Sequence, residues 1–309
     1  VTLRRRSGER RLRVVMGRGF KRAFADQQWL PRLGELLAEA SVVVFTPDDA
    51  GLFRGAPAGR RRLLDMVLSQ ISRDYLQRLQ QFNQAMKQLA AAYKLRSGEA
   101  QAREAARAFE PGVARAGAAL IAARAARLAA AGDALAGRHA MLGGQGRLAL
   151  TYDPGLRRLP PELLEAAAAN PRDETTLGAL TTHYERVLDQ TFAEGRRTGS
   201  CPTGAQRDDF TLTLDGHDLR RYGSQGQHRL AALTLKLETA SWIESAIGDT
   251  PILLLDDFGS ELDRGRRQAV LDGLRRSMQV LVTATDPADF PTDGLFDATL
   301  RIDGGSIAS

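Results

Sequence analysis

The chain has 309 residues, 43% of them hydrophobic and 26% charged, which excludes a disordered or low-complexity protein and allows one large or two ordinary cores. One cysteine, Cys201, excludes an intrachain disulfide and a zinc ribbon, and His139, His183, His217 and His228 show no metal-ligand spacing. No apolar run reaches the roughly 18 residues of a membrane span, since Arg115, Arg124 and Arg127 interrupt the Ala-rich stretch at 113–137, and no secretory signal is read, so a cytoplasmic protein without membrane contact is expected.

Residues 1–40 hold ten Lys/Arg against four Asp/Glu, while the remaining 269 hold 33 of each, so the whole net charge of +6 sits at one end. Such a patch suits a phosphate backbone; the alternative is charge placed on strand edges to block aggregation. Two strands are predicted there, over 1–3 and 12–16, then an amphipathic helix over 30–38 and a buried strand over 42–45. Thr46-Pro47-Asp48-Asp49 breaks the chain. Leu68, Ile71, Tyr75, Leu79, Phe82, Met86, Leu89 and Tyr93 recur at steps of three and four, one stripe of a long helix. Glu110-Pro111-Gly112 reads as a break, after which Ile121, Leu128, Leu135 and Leu142 fall seven apart among alanines. These helices are expected to form an antiparallel hairpin, either within a helical subdomain or as a projecting arm. A strand over 148–152 and a helix over 176–193 come next. The α/β rhythm then returns: a hairpin around Asp215-Gly216, a helix over 227–247, a strand over 252–255, a helix over 265–277 and a strand over 279–283. Trp29 and Trp242 are expected in the core.

The chemistry concentrates in the last third. Four apolar residues, Ile252 to Leu255, predict a strand buried on both faces that delivers Asp256 and Asp257 to its C-terminal edge, where ligands of α/β sheets bind. Adjacent carboxylates suit a Walker B site: Asp256 for the Mg²⁺ shell of ATP, Asp257 to take a proton from an attacking water. Upstream, Ser224-Gln225-Gly226-Gln227 predicts a serine cap on a helix whose exposed N–H groups form an anion site. A Ser/Gly cap is common in any fold. What gives this one weight is its order before the Asp pair, Ser260-Glu261-Leu262-Asp263 and Val282-Thr283-Ala284-Thr285.

In that order the run from Gly204 to Asp286 resembles the RecF family of ABC/SMC-like DNA-repair ATPases, together with Phe45-Thr46-Pro47-Asp48-Asp49, Arg60-Arg61-Arg62-Leu63-Leu64-Asp65 and Leu68-Ser69-Gln70. The resemblance implies an α/β ABC-type ATPase head: a lobe I with a mixed sheet and flanking helices, built from residues 1–65 and 196–309, split by a mostly helical lobe II with an antiparallel arm over 66–195. It implies that Ser224, Gly226 and Gln227 form a signature loop closing over ATP bound to a second copy. It also implies that Asp256 serves magnesium, Asp257 catalysis, Asp263 the dimer interface, and Thr285 the switch position that many ABC proteins fill with histidine. The implied function is ATP-driven dimerisation on duplex DNA near gaps or single-strand/double-strand junctions. Slow hydrolysis would serve release, and RecO and RecR would cooperate in loading RecA.

Two departures stand out. The family's segment resembling G-P-H-R-D-D appears as Gly204-Ala205-Gln206-Arg207-Asp208-Asp209. No G-x-x-x-x-G-K-[ST] phosphate loop occurs; Gly17-Arg18-Gly19-Phe20-Lys21 has the wrong spacing, and the chain opens on Val1 in a strand-like run, so the Walker A segment is expected upstream. Another SMC-like ATPase, of a defence or transport type, and a non-hydrolysing scaffold with the same fold remain as alternatives.

Overall fold

The computed structural model describes the chain except for residues 6, 7, 97, 259–264, 266, 269, 272–277, 287–289, 291–295 and 309. Strands β1 (Thr2–Arg5), β2 (Gly8–Gly17), β3 (Phe20–Ala25) and β4 (Gln28–Leu30) form an antiparallel meander in that order. The glycine-lysine cluster is its β2–β3 hairpin, where Gly17 pairs with Phe20 and Gly19 takes a φ of +83° that an L side chain resists. The helix expected over 30–38 does not form. Leu30 pairs with Ala23 as part of β4, Pro31 and Gly34 are poor helix formers, and only a 3-10 turn at Leu33–Glu35 and a single helical turn, α1 (Leu36–Glu39), remain.

After β5 (Val42–Phe45) comes a 3-10 turn at Pro47–Gly51 capped by Thr46. The single long helix expected next is two, α2 (Pro57–Ile71) and α3 (Arg73–Tyr93), parted at Ser72, whose hydroxyl accepts from the Tyr75 N–H at 3.2 Å. Nor does Pro111 break the chain: α4 (Glu99–Ala129) runs through it. Proline forfeits one helical hydrogen bond, and burial on both sides outweighs that loss, since Ala102, Ala106, Val113, Ala114, Leu120 and Ile121 are fully buried. The helix ends at Ala130 instead, and α5 (Gly132–Met141) carries Leu135. Helix α4 lies antiparallel to α3, with Arg124 bonded to Tyr75 and Gly112 against Ala85.

Strand β6 (Leu148–Asp153) precedes helices α6 (Pro161–Ala169) and α7 (Glu174–Thr198), which both cover α4. Gly117 permits a close approach of α7, because a Cβ there would stand 2.5 Å from the Tyr184 ring. Strands β7 (Asp209–Leu214) and β8 (His217–Asp218) form the expected hairpin, with Asp215 and Gly216 at φ 50° and 80°, and β6 pairs with β7. Helices α8 (Leu219–Tyr222) and α9 (Gln225–Ile247), strands β9 (Ile252–Leu255) and β10 (Val280–Val282), and a last hairpin, β11 (Arg301–Asp303) with β12 (Ser306–Ala308), complete the described elements. The helix expected over 265–277 falls largely outside the described residues.

The functional frame is the parallel sheet β10-β9-β5. It joins the two ends of the sequence, since Val42 to Phe45 pair with Ile252 to Leu255 in register. Val43 and Phe45, with their cross-strand partners Leu253 and Leu255, form one face, which is buried, and β5 packs against α9. The opposite face is not buried as expected: Val44 is 39% and Leu281 49% exposed, and Leu254 between them is half-buried. Helix α9 is buried almost all round, as a helix packed on several sides must be.

Candidate functional site

The acidic pair stands where β9 ends. Asp256 donates its N–H to Phe45 O at 2.9 Å, which continues the sheet by one residue, and its side chain is exposed. Asp257 then turns left-handed at φ 47°, a conformation aspartate tolerates better than most residues. The turn is pinned by Phe258, fully buried, whose ring meets Phe45 edge-on at 6.4 Å. Thr283, just past β10, ties the pair together. Its hydroxyl donates to Asp256 Oδ1 at 2.7 Å and accepts from the Asp257 N–H at 2.9 Å. An exposed carboxylate with one oxygen oriented by a hydroxyl is a hard-oxygen donor set that fits Mg²⁺. Sequence reasoning singled out Thr285, which is exposed two residues further on, and missed Thr283. The signal was present in the spacing: the neighbouring strand's first residue after its apolar run is the one that reaches sideways to the Asp pair.

The serine turn forms as expected. Ser224 caps α9 in a reciprocal box: its Oγ accepts from the Gln227 N–H at 3.2 Å, and Gln227 Oε1 accepts from the Ser224 N–H at 2.8 Å. Ser224, Gln225, Gly226 and Gln227 are all exposed, with the positive end of α9 facing solvent. Gly223 is needed within the chain, because a Cβ there would stand 2.6 Å from Leu219 O. Gly226 is different: a Cβ there would meet nothing within 4 Å, so the fold itself does not require glycine at that position. Beneath the turn lies His228, 1% exposed; burial and the charge of Arg54 hold its imidazole below the ordinary histidine range, against the pull of Asp218.

The two halves stand on different elements, the turn before α9 and the pair after β9. Lys236 of α9 donates to Val44 O at 2.7 Å and pairs with Asp49 at 2.9 Å, so this point of the helix abuts the strand ends beside Asp256. Ser224 lies twelve residues earlier on the same helix, about 18 Å along its axis at 1.5 Å per residue. Helix α9 thus carries the serine turn at one end and, twelve residues on, the lysine that seats it against β5, while the acidic pair stands off the helix, at the end of β9. Asp263 lies outside the described residues.

The departure Gly204 to Asp209 also acquires a physical role. Asp208, 1% exposed, accepts from Arg124 Nη1 at 2.6 Å, from the Tyr152 hydroxyl at 2.5 Å and from the Gly155 N–H at 2.8 Å. Asp209 takes a two-pronged contact from Arg60, at 2.7 and 2.8 Å. Arg124 further bonds Asp65 at 2.7 Å, Ala205 O at 2.7 Å and the Tyr75 hydroxyl at 3.0 Å. Burial opposes the charge on Arg124, yet Tyr75, Asp208 and Asp65 hold its guanidinium well above the ordinary range. Where the resembling motif has proline and histidine, Ala205 and Gln206 stand; Ala205 N–H donates to Tyr184 at 3.0 Å and Gln206 donates to Thr203 O at 2.7 Å. This cluster welds α2, α3 and α4 to the base of the hairpin that leads into the serine turn.

The chain is 31% identical over 312 aligned residues to the DNA replication and repair protein RecF of Lacticaseibacillus paracasei, covering 98% of this chain and 79% of that one. It is 34% identical over 301 residues to RecF of Synechococcus sp., covering 96% and 75%. This chain belongs to the RecF family. No protein-family model matches it. Among solved structures, the recombination mediator protein RecF-ATPrS in the RecFOR pathway superposes with a TM-score of 0.82 at 25% identity, over 99% of this chain and 78% of that one. The RecF-ATP structure of the same pathway gives 0.77 over 93% and 74%. The α/β ABC-type head with its helical insertion is therefore the fold of a RecF-family protein, and both of those RecF structures are named for a bound adenine nucleotide. No helix among the described residues is long and apolar enough to cross a membrane.

Proposed function

We propose that this RecF-family protein is a DNA-repair ATPase that dimerises around ATP on duplex DNA near gaps or single-strand/double-strand junctions. The observation that carries this reading is the exposed serine turn, which caps α9 about 18 Å along the helix axis from the Lys236 contact that seats the helix against β5. A turn held that far along α9 from the sheet edge suits a phosphate on a second copy, and two copies related by a two-fold axis offer each nucleotide one motif from each. Gly226, which the fold does not require, fits this geometry, since an approaching phosphate needs bare backbone there.

Within that assembly Ser224, Gly226 and Gln227 present N–H and hydroxyl donors to the γ-phosphate held by the other copy. Asp263 lies at the interface, and Thr285 occupies the switch position beside the γ-phosphate. Asp256 is the magnesium residue, and Mg²⁺ when bound offsets the charge of the β- and γ-phosphates. Asp257 accepts a proton from the attacking water, and Thr283 orients the Asp256 carboxylate and holds the Asp257 backbone. Hydrolysis loosens the dimer and releases DNA; RecR and RecO cooperate with the bound form in loading RecA. The division into residues 1–65, 66–195 and 196–309 places the helical lobe between the two halves of the nucleotide-binding lobe.

The test is sedimentation of the protein with and without ATP and gapped DNA. ATP shifts the wild type from monomer to dimer, and Ser224→Arg abolishes the shift while leaving the monomer folded. A Ser224→Arg protein that still dimerises with ATP refutes the assignment.

A further inference from the structure

The meander at the N-terminus has two unlike faces. Cross-strand partners share a face, so the pairs Arg13–Phe24 and Phe24–Trp29 put those three side chains on one side, joined by Arg11, Arg22 and Phe20 at two-residue steps. The other side carries Ala23 and Ala25, 1% and 7% exposed, packed toward α1. The first side is open: Trp29 is 60% and Phe20 47% exposed, and Arg11, Arg13 and Arg22 face solvent. Trp29 therefore does not join the core as expected, whereas Trp242 does, at 5%.

The arginines are not scattered over this face. The guanidinium of Arg13 lies 4.5 Å from the Phe24 ring centre and that of Arg22 lies 5.4 Å from Phe20. A guanidinium resting on a ring keeps its edge N–H groups for an anion while the next ring stays bare. The carboxylates on this side are paired, Glu9 with Arg4 at 3.1 Å and Asp26, beside Arg11, with Arg10, so the face remains positive. Charge placed only to keep a strand edge soluble has no need of exposed tryptophan and phenylalanine beside it. Rings alternating with arginines on a sheet match a ligand that alternates bases with phosphates. The bases must be unstacked to lie on the rings, which a duplex does not allow.

We propose that the outer face of the β1–β4 sheet binds single-stranded DNA, with bases on Trp29 and the uncovered side of Phe20 and phosphates on Arg11, Arg22 and Arg13, the last braced by Phe24. This rests on the DNA-repair reading above and extends it: the face would hold the unpaired strand of a junction. Stacking brings Trp29 against a base, so titrating the full protein with an oligo(dT) probe quenches its exposed-tryptophan emission, while Trp242 stays silent in the core. Trp29→Ala and Phe20→Ala, both at exposed positions, each weaken oligo(dT) binding roughly 5- to 150-fold and leave the melting temperature unchanged. Arg13→Gln with Arg22→Gln lowers the log–log salt slope by about 0.7 for each phosphate that is no longer neutralised. A blunt duplex of equal length binds these variants as it binds wild type. Unquenched emission, unaltered oligo(dT) affinity in both ring variants, or equal losses for duplex and single strand would overturn the proposal. ATP-dependent dimerisation and duplex binding, measured in the same variants, separate this failure from failure of the nucleotide-switch reading, which the ring variants leave untouched.

Discussion

Replacing Arg124 by methionine tests how the helical lobe is fastened to the serine turn. The guanidinium is 2% exposed and serves Asp208, Asp65, Tyr75 and the Ala205 carbonyl at once. Methionine fills most of the volume but leaves Asp208, 1% exposed, without its cation. Removing one partner of a buried ion pair costs about 3–5 kcal/mol, because the surviving charge remains desolvated. At about 2–4 °C per kcal/mol for a chain of this size class, the melting temperature falls by about 6–20 °C. Asp208→Leu added to Arg124→Met recovers part of the loss, although the Gly155 N–H and Tyr152 hydroxyl then lose their acceptor. Calorimetry or thermal circular dichroism on the single and double variants completes the cycle. The reasoning fails if Arg124→Met lowers the melting temperature by less than about 2 °C, or if the two substitutions add to within about 0.5 kcal/mol.

Asp257→Asn keeps the shape of the turn and removes the base, so ATP turnover drops by roughly 10²–10⁴-fold while ATP-dependent dimerisation persists; turnover at the wild-type rate would remove Asp257 from its role. Thr283→Val deletes the hydroxyl between Asp256 and the Asp257 N–H, and turnover falls by up to about 10²-fold with nucleotide affinity little changed. Thr283→Ser restores turnover, whereas equal activity in the valine and serine forms would show that the bridge is incidental. His228, held below its ordinary pKa chiefly by burial, binds a proton more readily unfolded than folded. Its contribution is therefore present above about pH 6.5, and stability declines as the pH falls through that value. His228→Gln flattens the melting temperature between about pH 7.5 and 5.5; an unchanged slope would place the dependence elsewhere.

What could be read from the sequence was whatever a local pattern encodes. Ile252 to Leu255 and Val42 to Phe45 were legible because short apolar runs bounded by turn residues have few alternatives. The Ser224 cap was legible because Ser and Gln at a three-residue spacing satisfy each other's backbone without outside help. Misreadings arose where distant residues decide. Pro111 ends a helix in isolation, but here α3, α6 and α7 surround α4 and hold it continuous. Residues 30–38 look amphipathic, yet pairing of Leu30 with Ala23 draws the first of them into a sheet. Asp208 and Asp209 resembled a motif with a displaced chemistry; their partners Arg124 and Arg60 lie 84 and 149 residues away, and no spacing rule reveals such a pair.

The placement of Lys236 shows how α9 is seated against the sheet. A buried lysine is costly unless paired, and this one is held at 9% side-chain exposure by Asp49 and the Val44 carbonyl. Asp49 in turn accepts from the Thr46 N–H at 2.8 Å, which shapes the turn after β5. The ammonium thus fixes the height of α9 against the sheet edge where Asp256 emerges. A rigid helix then fixes how far the Ser224 turn projects in the opposite direction. Under the proposed function, a change at the nucleotide that moved the Asp49 turn would be carried along α9 as a displacement of the serine turn rather than absorbed in a loop, because nearly every residue between Leu230 and Ile243 is buried and leaves the helix no room to bend.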